Sequence, residues 1–221
     1  MKPLTPAIIA IACLLIGCDM GGEGAGPPKH DSGVYMLLDT SGTYTQELRK
    51  AQQIINYTLS KLNPGDSFAV ARIDTGSFSE KDIVAKVTFD DRPSQANGQK
   101  RQFRDQVERF VREVNPAPYT DITGGLLQAI EYLNEKDPGK KTILIFSDLK
   151  EDLQAGYVRN IPLQFEGYSV VALNVTKLRS DNVDPREYLQ RLEAWKARVE
   201  SGGGQWRVIN DLDRLEKLIE S

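Results

Sequence analysis

From Gly33 to Leu38 the chain runs almost wholly apolar, and it then breaks on Asp39-Thr40-Ser41-Gly42-Thr43. An unbroken apolar run this short reads as a strand buried on both faces, because a half-exposed strand would alternate apolar with polar. A strand buried on both faces belongs in a mostly parallel sheet covered by helices above and below. The next stretch, Tyr44 to Leu62, has helical spacing, with Leu48, Ala51, Ile55, Leu59 and Leu62 recurring every three or four residues. An acid and two hydroxyls therefore fall at the carboxyl end of a central strand, where open α/β sheets hold their ligands. Asp39, Ser41 and Thr43 are oxygen donors, and Gly42 allows a tight turn among them. Such donors suit a hard divalent cation, Mg²⁺ or Mn²⁺, better than zinc. The same residues also make ordinary turns, with Ser41 or Thr43 capping the helix and Asp39 bonding turn amides.

The rest of the chain repeats the pattern. Asn63-Pro64-Gly65-Asp66 ends the first helix. Ser67 to Asp74 and Ile83 to Phe89 read as strands joined by a connection too short for a crossover helix, hence antiparallel. Asp90 to Arg101 reads as a polar loop, followed by a helix over 102–114 with Phe103, Val107, Phe110, Val111 and Val114 on one side. After Asn115-Pro116-Ala117-Pro118, the segment Tyr119-Thr120-Asp121-Ile122-Thr123-Gly124-Gly125 leads into a helix with Leu126, Ile130 and Leu133 inward. Thr120 and Asp121 there suit an N-cap as well as a binding loop. Lys141 to Asp148 is a second apolar run ending in an acid, and if it lies parallel to the first, Asp148 and Asp39 reach the same edge. Strand Tyr168 to Val175, helix 185–200, strand Gln205 to Ile209 and a closing helix over 211–220 complete the order. Leu189, Leu192 and Val199 are expected to face inward from the first of these helices, and Leu212, Leu215 and Ile219 from the second. Trp195 and Trp206 read as packing residues. The fold class is α/β: a doubly wound, Rossmann-like, mostly parallel sheet of six strands with one antiparallel edge strand and helices on both faces.

Several chemistries are excluded by what the chain lacks. His30 is the only histidine and precedes the first strand, which removes Ser-His-Asp, Cys-His and HExxH sites. The two cysteines, Cys13 and Cys18, are both near the N-terminus, so neither a disulfide framework nor a cysteine-ligated zinc site can form in the folded part. A net charge of −3 and the lack of a basic arm argue against nucleic acid as a partner.

The N-terminus reads as an address. Lys2 precedes an apolar core from Ala7 to Ile16, of signal-peptide length and short for a membrane span. Its end, Leu15-Ile16-Gly17-Cys18, resembles the lipobox of bacterial lipoproteins. That resemblance implies removal of residues 1–17, lipidation of Cys18 and residence in the bacterial cell envelope. Asp19 in such lipoproteins favours the periplasmic face of the inner membrane. An ordinary secretory signal or a membrane anchor is the alternative. Residues 18–32 then form the lipidated Cys and a Gly/Pro-rich tether with a reach on the order of 20 Å.

Taken together, Asp39-x-Ser41-x-Thr43, Thr120 and Asp148 resemble the metal-ion-dependent adhesion site of the von Willebrand factor type A (VWA) domain. The resemblance covers 33–221 in element order. It departs at Thr43, where the family usually has Ser; the hydroxyl is kept. The resemblance implies that these five residues hold Mg²⁺ (or Mn²⁺) directly or through water, and that a protein partner completes the shell with a carboxylate. Tyr44, Phe78, Tyr119, Asp121 and Glu151, on loops of the same edge, are the candidate partner contacts. The function expected is a membrane-anchored, metal-dependent adhesion or assembly module rather than an enzyme. Two other readings stand beside it. One is a Mg²⁺-dependent phosphoryl-transfer enzyme, although Ser41 replaces the second acid of Asp-x-Asp-x-Thr and no GxxxxGK[ST] loop occurs. The other is a VWA scaffold with a vestigial metal site.

Overall fold

In the computed structural model the described residues are 32–42, 44–175 and 184–210. The leader, Cys18, His30, the tether up to residue 31, Thr43 and the closing helix expected over 211–220 lie outside them. Six strands form one sheet in the order β3-β2-β1-β4-β5-β6. They are β1 (Ser32–Asp39), β2 (Ser67–Ile73), β3 (Ile83–Thr88), β4 (Lys140–Phe146), β5 (Tyr168–Leu173) and β6 (Gln205–Ile209). All neighbours pair in parallel except β2 and β3, which is the antiparallel edge strand expected from the short connection. The helices are α1 (Leu48–Lys61), α2 (Pro93–Glu113), α3 (Ile122–Lys136) and α4 (Pro185–Ser201).

The central strand shows why its sequence is continuous. Val34, Met36 and Leu38 point into one core with Leu48, Ile55, Phe68, Phe103 and Phe146, between the sheet and α1 and α2. Tyr35 and Leu37 point into the other with Leu126, Leu133, Ile145 and Trp195, between the sheet and α3 and α4. Full burial of each such side chain stabilises the fold by about 1.5–3 kcal/mol, so a polar residue at any of these positions is costly. Gly125 belongs to the same packing. A Cβ there would stand 2.9 Å from a methyl of Leu37, so only glycine lets α3 sit this close to β1.

Three expectations are corrected. The segment Asp90 to Arg101 is not a loop, because α2 starts at Pro93. Proline suits the first helical turn, where its missing N–H is not needed. Ala96, Phe103 and Val107 bury the helix against the first core and outweigh the cost of Gly98, about 1 kcal/mol. Leu189 is 62% exposed. The inward face of α4 runs instead through Tyr188, Leu192, Trp195 and Val199, whose spacing of three and four leaves Leu189 to one side. Finally, Tyr44 does not open a regular helix. Thr45–Glu47 is a 3-10 turn, and the α-helix starts at Leu48.

Candidate functional site

Pairing of β1 with β4 sets Leu38 opposite Phe146, so Asp39, Ser147 and Asp148 leave the sheet side by side. Asp39 is 1% exposed and Asp148 4%. One oxygen of Asp39 accepts the Ser41 amide at 2.8 Å, and the other accepts the Ser147 hydroxyl at 2.6 Å. Asp148 accepts the Lys150 amide at 2.8 Å. Burial raises the pKa of Asp39, against the opposing pull of its Ser147 and Ser41 hydrogen bonds. Burial likewise raises that of Asp148, where the Lys150 amide pulls it down, the Asp39 carboxylate pushes it up, and Arg191 and Lys150 offset it with their charges. Among the described residues, neither acid forms an ion pair.

The other donors arrive on stitched loops. The Ala117 amide donates to the Thr40 carbonyl at 2.7 Å, and Ser41 and Ala117 form a parallel bridge. Thr120 and Asp152 form an antiparallel bridge with amide bonds of 2.7 and 2.9 Å. The loop bearing Thr120 is therefore fastened on one side to the exit of β1 and on the other to the chain beyond β4. Thr40 ties this exit to β2 through its hydroxyl, 2.8 Å from the Ile73 carbonyl. Asp39, Ser41, Thr120 and Asp148 all sit at this edge; Thr43 lies outside the described residues. Among the described residues no three His, Cys, Asp or Glu side chains gather. The site is two acids with hydroxyls, a donor set suited to a hard cation.

The expected contact residues divide. Phe78 is 52% exposed and Tyr119 half-exposed, so both present surface. Tyr44 is buried at 1%, edge-on to Phe146 at 5.2 Å, with its hydroxyl donating to the Asn174 carbonyl. It is core, because the turn after Gly42 folds it under the helix instead of outward. Asp121 is also 1% exposed. It caps α3 by accepting the Gly124 amide at 2.8 Å, accepts the Ser77 amide at 3.1 Å, and takes a two-pronged guanidinium from Arg159 at 2.7–3.1 Å. Its carboxylate raises the pKa of Arg159 in turn. A Cβ on Gly124 would lie 2.5 Å from that carboxylate, which explains the glycine. Glu151 accepts the Thr123 amide at 2.7 Å and lies 3.8 Å from Arg198, so it too serves α3.

Two residues were not singled out from sequence. Ser147 bonds both Asp39 and the Leu149 amide, the latter at 3.0 Å. Counting alternation from Phe146, the residue after it faces away from Phe146's core and meets Asp39; that count points to Ser147. Leu149 is the second. It is buried with φ +65°, a left-handed conformation that strains a branched residue by about 1–3 kcal/mol. Side chains of α4 hold it there: Arg191 donates to the Asp148 carbonyl at 2.8 Å, and the Trp195 ring N–H to the Leu149 carbonyl at 2.9 Å.

No family model matches the chain, and no curated protein matches it. Solved structures do. The pilus adhesin SpaC from Lactobacillus rhamnosus GG, in its open conformation, superposes at TM-score 0.55 with 13% identity, over 86% of this chain and 29% of its own. A von Willebrand factor type A protein from Catenulispora acidiphila gives TM-score 0.49 with 12% identity, over 86% of this chain and 41% of its own. BatB from Bacteroides thetaiotaomicron gives 0.47 with 13% identity, over 86% and 96%. The chain thus spans less than half the length of the first two. At these identities the likeness is one of fold alone, and that fold is the six-stranded, mostly parallel α/β sheet with one antiparallel edge strand expected from the sequence.

Proposed function

We propose that this chain is a divalent-metal-dependent protein-binding module, held in a bacterial cell envelope by a lipid on Cys18 and working in adhesion or assembly. The observation that carries this reading is the pair of buried carboxylates, Asp39 and Asp148, which repel each other and have no ion-pair partner among the described residues. A buried charge is normally paired or bound to a metal. Asp39, Ser41, Thr120 and Asp148, joined by Thr43, are the residues assigned to hold Mg²⁺ or Mn²⁺. When bound, the ion supplies a positive centre that attracts a carboxylate from the partner. The chain's own residues do the rest. Ser147 and the Ser41 amide fix both oxygens of Asp39. The Ala117 and Asp152 bridges hold Ser41 and Thr120 against the two strand ends. Phe78 and Tyr119 offer aromatic surface at this edge, of the kind that anchors protein interfaces.

The matched pilus adhesin supports the adhesion half of the reading. The division 1–17 leader, 18–32 tether and 33–221 VWA domain is part of the proposal, with the one change that Ser32 begins β1 and belongs to the domain. So is a non-enzymatic role, because among the described residues the edge offers acids and hydroxyls but no histidine or cysteine base beside them. The test is capture of partners by tagged full-length protein from solubilised membranes with Mg²⁺, with a chelator, and as Asp39→Ala. A partner retained only with the metal and the intact acid supports metal-mediated recognition. Partners indifferent to both changes overturn it in favour of a scaffold whose acids serve only turns. Hydrolysis of an aryl phosphate that disappears in Asp39→Asn would overturn the non-enzymatic part.

A further inference from the structure

At the opposite, amino-terminal edge of the sheet, the face that packs α1 changes character. Toward the carboxyl end this face is apolar, with Leu144, Phe146, Val171 and Leu173 all buried. At its other end, Thr142 lies beside Ser169, which lies beside Gln205, in one row across β4, β5 and β6. Ser32 and Lys140 pair one step further out. These residues, with Arg207 and with Thr58 from α1, line a cavity of about 270 Å³ that has no acidic residue in its wall among the described residues. Lys140 is exposed and forms no ion pair among the described residues. Arg207 is half-buried, with its guanidinium 3.3 Å from the Ser169 hydroxyl. Lys141 also touches the cavity but commits its amine elsewhere, to Asn134 at 2.8 Å and over the Tyr168 ring.

Thr58 adds an independent observation. It is 0% exposed, and its hydroxyl has no hydrogen-bond partner among the described residues. A threonine inside a helix ordinarily satisfies its hydroxyl on the preceding turn, and a buried polar group left without a partner is unfavourable. Here the hydroxyl belongs to a residue of the cavity wall. The exposed amine of Lys140 and several hydroxyls, with Arg207 beside them and no acid among the described residues of the wall, form the recognition chemistry of a phosphate group, whose oxygens accept from such donors.

We infer that this cavity is a binding site for an anionic phosphate group. The same chemistry is available from free phosphate and from the headgroup of an acidic phospholipid. Position favours the lipid. Ser32, in the cavity wall, is where the chain arriving from Cys18 joins the sheet, with only residues 19–31 between them. A headgroup bound there would turn the Asp39 edge away from the bilayer. The site stands apart from the metal proposal, since its residues lie at the other end of the strands, and either proposal can fail alone.

The test is amide hydrogen exchange of the full chain over residues 139–142 and 203–207. Three conditions are compared: maltoside micelles without phosphate, the same micelles with inorganic phosphate, and phosphatidylglycerol nanodiscs without free phosphate. Binding slows local exchange by about 1 + [phosphate]/Kd, so about tenfold at ten times Kd, provided the locally open form does not bind. Slowing in both ligand conditions that is lost in Lys140→Gln and in Thr58→Val, but kept in the remote Lys86→Gln, supports a lipid-phosphate site. Slowing with inorganic phosphate alone supports the phosphate pocket and overturns the lipid as its source. No slowing in either condition, or equal slowing in all variants, overturns the site. Thr58→Val keeps shape while removing only the hydroxyl, and Lys140 is exposed, so neither result depends on a misfolded variant.

Discussion

Asp121 and Asp148 occupy matching positions. Each follows a hydroxyl residue, each is almost fully buried, and each sits at the carboxyl edge of the sheet. Their surroundings differ in one respect. Asp121 is met by the fork of Arg159, by the Ser77 amide from a loop and by the Gly124 amide from the first turn of α3, so its charge is answered inside the protein. Asp148 is met by one amide and by the repulsion of Asp39, with Arg191 and Lys150 acting only from outside ion-pair distance. Burial alone therefore does not mark an acid as a ligand. The informative feature is burial without an ion-paired cation, and it separates a carboxylate that builds the fold from a pair left with charge to share.

The largest effect is expected from breaking the answered side. Arg159→Ala leaves Asp121 buried and unpaired, and should cost about 3–5 kcal/mol in urea unfolding at neutral pH. A loss below about 1 kcal/mol would erase the distinction. Next comes supplying the missing charge. Mg²⁺ at a hundred times its Kd should stabilise the protein by about 2.7 kcal/mol, and Asp39→Ala should show no such gain in a thermal melt. Ser147→Ala removes a hydrogen bond to a buried carboxylate and should cost about 1.5–3 kcal/mol. It should also weaken Mg²⁺ binding by calorimetry while Arg159→Ala, once corrected for unfolded protein, leaves that affinity unchanged.

The smallest effect is on pH. Asp39 and Asp148 have raised pKa values in the folded protein, so the folded state holds protons that the unfolded state has released. Without metal, the contribution of these two acids to stability is greatest below the ordinary aspartate range and falls as pH climbs through the raised values, by at most about 1.4 kcal/mol per pH unit for each group. Mg²⁺ binding should strengthen over the same interval as the acids ionise. Denaturant midpoints measured from acid to neutral pH with and without Mg²⁺ check this. A metal-free pH dependence left unchanged by Asp39→Asn would contradict the unanswered pair.

What was legible in the sequence follows from the reach of each interaction. The runs before Asp39 and Asp148 declare buried parallel strands because two-sided burial acts on every residue in them, and their shared edge follows from fold class. The antiparallel β3 was equally legible, since a connection that short allows no crossover. Arg159 was not: it meets Asp121 across 38 positions and lies in a long segment without regular structure, where no periodicity exists to read. Tyr44 was misplaced because a 3-10 turn rotates it inward, and turn geometry after a glycine is set by tertiary packing. The start of α2 was hidden by polar composition, although Pro93 carried the signal of a first helical turn.

The placement of β1 also has a mechanical meaning. Its first residue, Ser32, receives the chain from Cys18, and its last, Asp39, belongs to the edge proposed to grip a partner. A pull between anchor and partner would therefore run along a single strand, bonded by parallel ladders to β2 on one side and β4 on the other. Extraction of that strand requires both ladders to shear together, instead of opening bond by bond from an edge. With the proposed lipid on Cys18 and the proposed metal at Asp39, a link built this way loads the domain in shear across two ladders at once.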